Sequence, residues 1–177
     1  MKPNPPLPFK PRHGIASKEE IRDALLGKLG LYPLEYVMWA FPWEEDESIR
    51  VVPLAEKYKQ QVFDFSGIEY EYGPDVWACE FLNELGEEIR KRGFRANGVQ
   101  AVAPIRFSTA SGHGIGKSSL TAWLIKFILD TKPMAKGVVT ANTSDQLRTK
   151  TWAQVAFWNA KSRTSDLWNF RSSRGSM

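Results

Sequence analysis

One stretch of this 177-residue chain has the residue types and spacing for phosphate chemistry: Ser111-Gly112-His113-Gly114-Ile115-Gly116-Lys117-Ser118. A phosphate-binding loop reads Gly, four residues, Gly-Lys-Ser/Thr; here Gly116, Lys117 and Ser118 match, and Ser111 stands at the first glycine. Gly112, Gly114 and Gly116 let the backbone curl so that successive N–H groups point inward. Those donors, with the positive end of a following helix, suit an anion. On this reading the nucleotide-binding stretch runs from Ser111 through Ser119. Lys117 reaches the β- and γ-phosphates of ATP, and the Ser118 hydroxyl ligates Mg²⁺ through the bound nucleotide. The competing reading is a glycine-rich turn that binds nothing. A strand-like run before it and an apolar helix after it favour the binding turn. His113 takes no role of its own and reads as a tolerated loop residue.

A second group follows the next predicted strand: Thr140, Asn142, Thr143, Gln146 and Arg148. Polar residues at the carboxyl edge of a parallel sheet face the ligand crevice, which makes these candidates for coupling nucleotide to motion. They read equally as a strand-end turn with Ser144 or Asp145 capping a helix. Hydrolysis needs an acid as well, an apolar strand ending in Asp followed by Glu. No run after Ser118 has that form. Asp64, in Val62-Phe63-Asp64-Phe65, lies upstream without a following acid, so the catalytic acid reads as absent.

The elements that must position these residues follow from periodicity and punctuation. Ser17 and Glu20 fit a capping box, and Ile21, Leu25 and Leu29 fall on one helical face that ends at Gly30 and Pro33. Pro33 to Phe41 reads as a second helix stopped by Pro42. Leu54 to Phe65 is ambiguous. Gly73-Pro74-Asp75 reads as a turn, with Asp75 capping a helix through Trp77, Phe81, Leu82 and Leu85 to about Arg92. Ile105 to Ala110 reads as a strand, Lys117 to Thr131 as a helix buried against a sheet, Gly137 to Ala141 as a second strand, and Ser144 to Ala160 as a helix. Strand, loop, helix, strand, helix is the alternation of a parallel α/β sheet. The expected fold class is therefore α/β, a partial phosphate-loop NTPase preceded by a helical segment. The divisions are a proline-rich disordered tail at 1–16, a helical region at 17–98, an incomplete ATPase core at 99–160 and a basic irregular tail at 161–177.

Composition narrows the classes. Apolar residues make up 42% of the chain, enough for a core and against wholesale disorder. A net charge of +4 is compatible with nucleic acid without arguing for it. One cysteine, Cys79, excludes an internal disulfide framework and a cysteine zinc site, and two histidines make no metal cluster. The N-terminus carries no apolar signal, and Leu120 to Leu129 is too short and too interrupted, by Lys126, to span a bilayer. A soluble cytoplasmic setting follows as the default.

Several of these stretches together resemble the ATPase end of the large terminase subunit of tailed bacteriophages, in its prophage-encoded form. They are Trp39-Ala40-Phe41-Pro42-Trp43; Gly73-Pro74-Asp75-Val76-Trp77 with Glu80-Phe81-Leu82; Ala110 to Ser118; and Val138-Val139-Thr140-Ala141-Asn142-Thr143 with Gln146-Leu147-Arg148-Thr149-Lys150-Thr151-Trp152. The resemblance covers roughly residues 20 to 158. It implies an ATP- and Mg²⁺-dependent motor that pumps double-stranded DNA into a prohead. It also implies a small terminase subunit and a portal as partners, in the cytoplasm of a bacterial host. Carried over by position, Lys117 and Ser118 become the phosphate and Mg²⁺ ligands. Where the family often has Gln after the upstream Trp, this chain has Ala78. Family members run to several hundred residues, with an acidic strand and a nuclease domain, so this chain reads as a truncated form. Two lone parallel strands imply marginal stability and weak nucleotide binding. A helicase-like or AAA-type ATPase, or a non-enzymatic prophage remnant, are the alternatives.

Overall fold

A computed structural model describes residues 18–93, 103–110, 114–132 and 134–168. The proline-rich tail, Ser17 of the capping box, and Ser111, Gly112 and His113 of the loop lie outside the described residues.

The core is built on helices. Helix α1 (Lys18–Leu29) buries Leu25, Leu26 and Leu29 on one side. Helix α2 (Pro33–Ala40) starts on a proline whose φ is already helical, and it is enclosed on nearly every side. Hydrophobic all round, α2 sits at the centre and touches α1, helix α3 (Glu56–Ser66), helix α4 (Val76–Lys91) and helix α5 (Lys117–Thr131). Its one enclosed charge, Glu35, accepts from Gln61 Nε2 at 2.8 Å, and Gln61 in turn exchanges two hydrogen bonds with Asn83 of α4.

Two short strands, β1 (Val52–Pro53) and β2 (Tyr72–Gly73), pair antiparallel, with Val52 opposite Gly73 and Pro53 opposite Tyr72. Gly73 packs closely: a Cβ there would lie 2.9 Å from a Leu54 methyl and 3.1 Å from the Met38 sulfur, so those side chains would have to shift. Asp75 caps α4 as expected, accepting from the Val76 N–H at 2.6 Å, and Arg90 and Lys91 close its last turn, where cations suit the dipole.

Helix α5 packs on helix α7 (Ala153–Lys161) through an aromatic cluster. Phe41, Trp43, Trp123 and Trp158 meet with ring centroids 5.0 to 6.5 Å apart. Helix α7 continues without a break from a short helix α6 (Ser144–Gln146) through a π-helical turn at Leu147–Trp152. No helix among the described residues is long and apolar enough to cross a membrane.

The expected α/β class is corrected here. Among the described residues the one sheet is the two-stranded antiparallel pair β1–β2, and neither 105–110 nor 137–141 forms a strand. A strand is stable only when a neighbour about 4.8 Å away takes its backbone bonds, and no such ladder holds these runs. Residues 103–110 and 136–142 are largely exposed, Val138 at 91%. The apolar stripe of α5 finds its partner elsewhere. Phe127 meets Tyr36 of α2 and Trp123 meets Trp158 of α7, with Leu120 buried in the same core rather than against a sheet. One continuous core therefore joins Leu25 of α1 to Trp158 of α7. Residues 161–164 return to this body: Arg163 donates its backbone N–H to Ala40 O at 2.8 Å and its Nε to Trp39 O at 3.0 Å.

Candidate phosphate-binding turn

Of the sequence-selected loop, Gly114 to Ser119 can be placed. Gly114 and Gly116 take φ of 84° and 85°, in the left-handed region. A Cβ at either would meet nothing within 4 Å, so the need for glycine is conformational rather than steric. Gly116 is the N-cap of α5 and brings no side chain to cap it; the first intrahelical bond runs from Leu120 N–H to Gly116 O at 3.0 Å. The first-turn N–H groups, of Lys117, Ser118 and Ser119, thus point out of the helix start with the positive end of its dipole behind them.

Lys117 is the first helical residue and is half-buried, and Ser118 is exposed beside it. The Ser119 hydroxyl turns inward and donates to Gln154 Oε1 of α7 at 3.3 Å. Thr121 donates back to Lys117 O at 3.0 Å, which closes the first turn on its far side. Among the described residues, the local arrangement is a left-handed turn running directly into a helix start without a side-chain cap, which carries the Lys117 ammonium and the exposed Ser118 hydroxyl. That set can hold an anion with several oxygens.

The second sequence-selected group lies at the start of α6. Thr143, rather than Ser144 or Asp145, is the N-cap; its Oγ1 accepts from Gln146 N–H at 3.1 Å. Arg148 bonds Asp145 Oδ1 at 3.0 Å, and Thr140, Asn142 and Gln146 are exposed. The bond from this helical rod to the first turn of α5 comes from Gln154, which the motif pattern does not single out. Asp64 sits on α3, exposed and accepting from Gln60 Nε2 at 2.7 Å, on an element that packs on α2.

A buried carboxylate is the strongest polar centre the sequence reading missed. Asp130 accepts from Tyr36 Oη at 2.6 Å, from Trp168 Nε1 at 2.6 Å and from Thr164 Oγ1, and it pairs with Lys126 Nζ at 3.1 Å. Burial, then the charge of Asp130, hold the Tyr36 phenol well above its ordinary value. Burial pulls Lys126 below the usual lysine range even though Asp130 opposes it. Four donors fill the carboxylate, so this centre is a tie between elements rather than an open site. Its signal was on the page as Lys126 and Asp130, four apart in an otherwise apolar helix.

Among the described residues no group of three or more His, Cys, Asp or Glu side chains is placed to hold a metal ion. Among the described residues of the turn, the exposed oxygen donor that suits Mg²⁺ is the Ser118 hydroxyl. That fits an ion held mainly by phosphate oxygens and water, as Mg²⁺ commonly is. No family model, no curated protein and no solved structure matches the chain.

Proposed function

We propose that the chain binds ATP with Mg²⁺ at the Gly114–Ser119 turn, as the amino-terminal part of a DNA-packaging motor of the terminase large-subunit kind. The observation that carries the reading is the start of α5 at Lys117, immediately after the left-handed Gly116 and without a capping side chain. The reading does not need a parallel sheet, because the donors that meet phosphate are local to one turn and one helix end. Lys117 supplies the charge toward the β- and γ-phosphates. The first-turn amides of α5 supply directed hydrogen bonds, and Ser118 offers its hydroxyl to the ion. The reading assigns binding and no hydrolytic acid.

The motor assignment draws on the resemblance of residues 20 to 158, with double-stranded DNA, a small terminase subunit and a portal-bearing prohead as partners in a bacterial cytoplasm. The test is a thermal shift. ATP with Mg²⁺ is expected to raise the melting temperature of the chain, and Lys117→Ala is expected to abolish the rise while leaving the ligand-free melting temperature within a few degrees. An equal rise in both proteins would remove the turn from the account.

A further inference from the structure

We propose that residues 165–168 are a releasable strap, closed over a groove along α5 by the indole of Trp168 and pivoting on an anchored segment at 162–164.

The anchor and the strap are held in different ways. Ser162 and Thr164 are enclosed and bond each other, and Arg163 is fixed to the end of α2 by its backbone and its guanidinium. Among the described residues beyond Thr164 the attachments thin out. The 3₁₀ turn Ser165–Leu167 carries Asp166, largely exposed, 3.4 Å from Arg22 of α1. Leu167 is partly buried against the core, and Trp168 keeps 40% of its surface in water while its Nε1 donates to Asp130 Oδ1 at 2.6 Å. An exposed ion pair of this kind is weak and screened by salt. A short segment with little buried hydrocarbon opens at far lower cost than the core.

The position of Trp168 gives the opening a consequence. It lies between two cavities. One, of about 380 Å³, is apolar, walled by Ile125, Ile128, Val138, Trp152 and Val155. The other, of about 630 Å³, has Asp23, Lys132 and Lys136 on its walls. Leu129 and Trp168 border both; Lys126 lines the apolar cavity and its partner Asp130 the polar one. Lifting the indole joins the cavities into one groove along α5 and leaves Asp130 Oδ1 with Lys126 as its remaining partner. The strap thereby controls access to a buried charge pair set in an apolar trough.

The test places a thiol under the strap, Leu129→Cys in the full chain, and measures its reaction with an aromatic disulfide reagent. Buried Cys79 serves as an internal report of core integrity. Trp168→Phe, which keeps a ring and removes the N–H, is expected to speed the reaction about tenfold. Asp166→Asn or 1 M salt is expected to speed it several-fold, with Cys79 silent throughout. Should Leu129→Cys disturb the fold, an apolar fluorescent dye titrated onto the otherwise native chain, with and without Trp168→Phe, reads the same opening as increased binding. Thiol rates or dye binding unchanged by Trp168→Phe and by salt would overturn the proposal, as would Cys79 reacting in step with position 129, since that reports unfolding instead of a local opening.

Discussion

The indoles of Trp123 and Trp158 meet edge to face, with ring centroids 5.0 Å apart and planes at 80°. This contact joins α5 to the helical rod that follows it. Neither indole N–H has a hydrogen-bond partner. The rings of Phe41 and Trp43 pack against both indoles. Trp158→Ala removes a wall of the cluster without leaving a stranded polar group. Its expected cost is about 3–5 kcal/mol, from lost burial and the cavity left behind. Urea denaturation of the two proteins measures it.

Asp130 is expected to matter more than the lysine it pairs with. Asp130→Ala removes the counter-charge of enclosed Lys126 and the acceptor of enclosed Tyr36 at once, and breaking a buried pair from one side costs about 3–5 kcal/mol. Lys126→Met leaves the carboxylate with three donors and adds apolar volume. Denaturant midpoints are therefore expected to rank wild type first, Lys126→Met next and Asp130→Ala last. The reverse order of the two variants would mean that Asp130 is not the hub.

Stability should fall at strongly acidic pH through Asp46. Hydrogen bonds from Lys161 and from Ser48 hold its carboxyl down at about 2. A folded-state value below the unfolded one, about 3.9, stabilises the fold above that unfolded value. The contribution is lost as pH falls from there through about 2. Thermal melts of wild type and Asp46→Asn are expected to differ at pH 6 and to converge near pH 2. A difference that persists unchanged at pH 2 would contradict this.

Cys79 is expected to be inert in the folded chain. It is enclosed in α4, and burial, reinforced by nearby Asp75, pushes its thiol up to about 12. At pH 8 an alkylating reagent should label it at the rate of unfolding and should label the urea-denatured chain promptly. Rapid labelling of the native protein would show that α4 opens locally.

Local signals were legible in the sequence, and long-range pairing was not. Pro33, Asp75 and the apolar spacing of α5 mark their helices because each acts within a turn or two of its own position. Val138-Val139 has strand composition, but composition cannot say whether a neighbouring strand exists. Without a ladder the run forms no strand, and Val138 stands exposed. The same gap hid the real partner of α5. Trp43 and Trp158 are 115 positions apart in sequence, and nothing in either neighbourhood announces that they meet. At the turn, Gly116 and Lys117 were readable from the motif, whereas Gln154 was not, because its contact with Ser119 depends on how α7 lies on α5.

Calorimetric titration of the chain with ATP in the presence of Mg²⁺ tests whether the turn binds nucleotide. One saturable site is expected in the wild type. Binding at least tenfold weaker is expected in Lys117→Ala, equivalent to about 1.4 kcal/mol or more. Gly116→Ala should also weaken binding, because it strains the left-handed turn. No binding by the wild type, or equal binding by all three proteins, would contradict nucleotide binding at the turn.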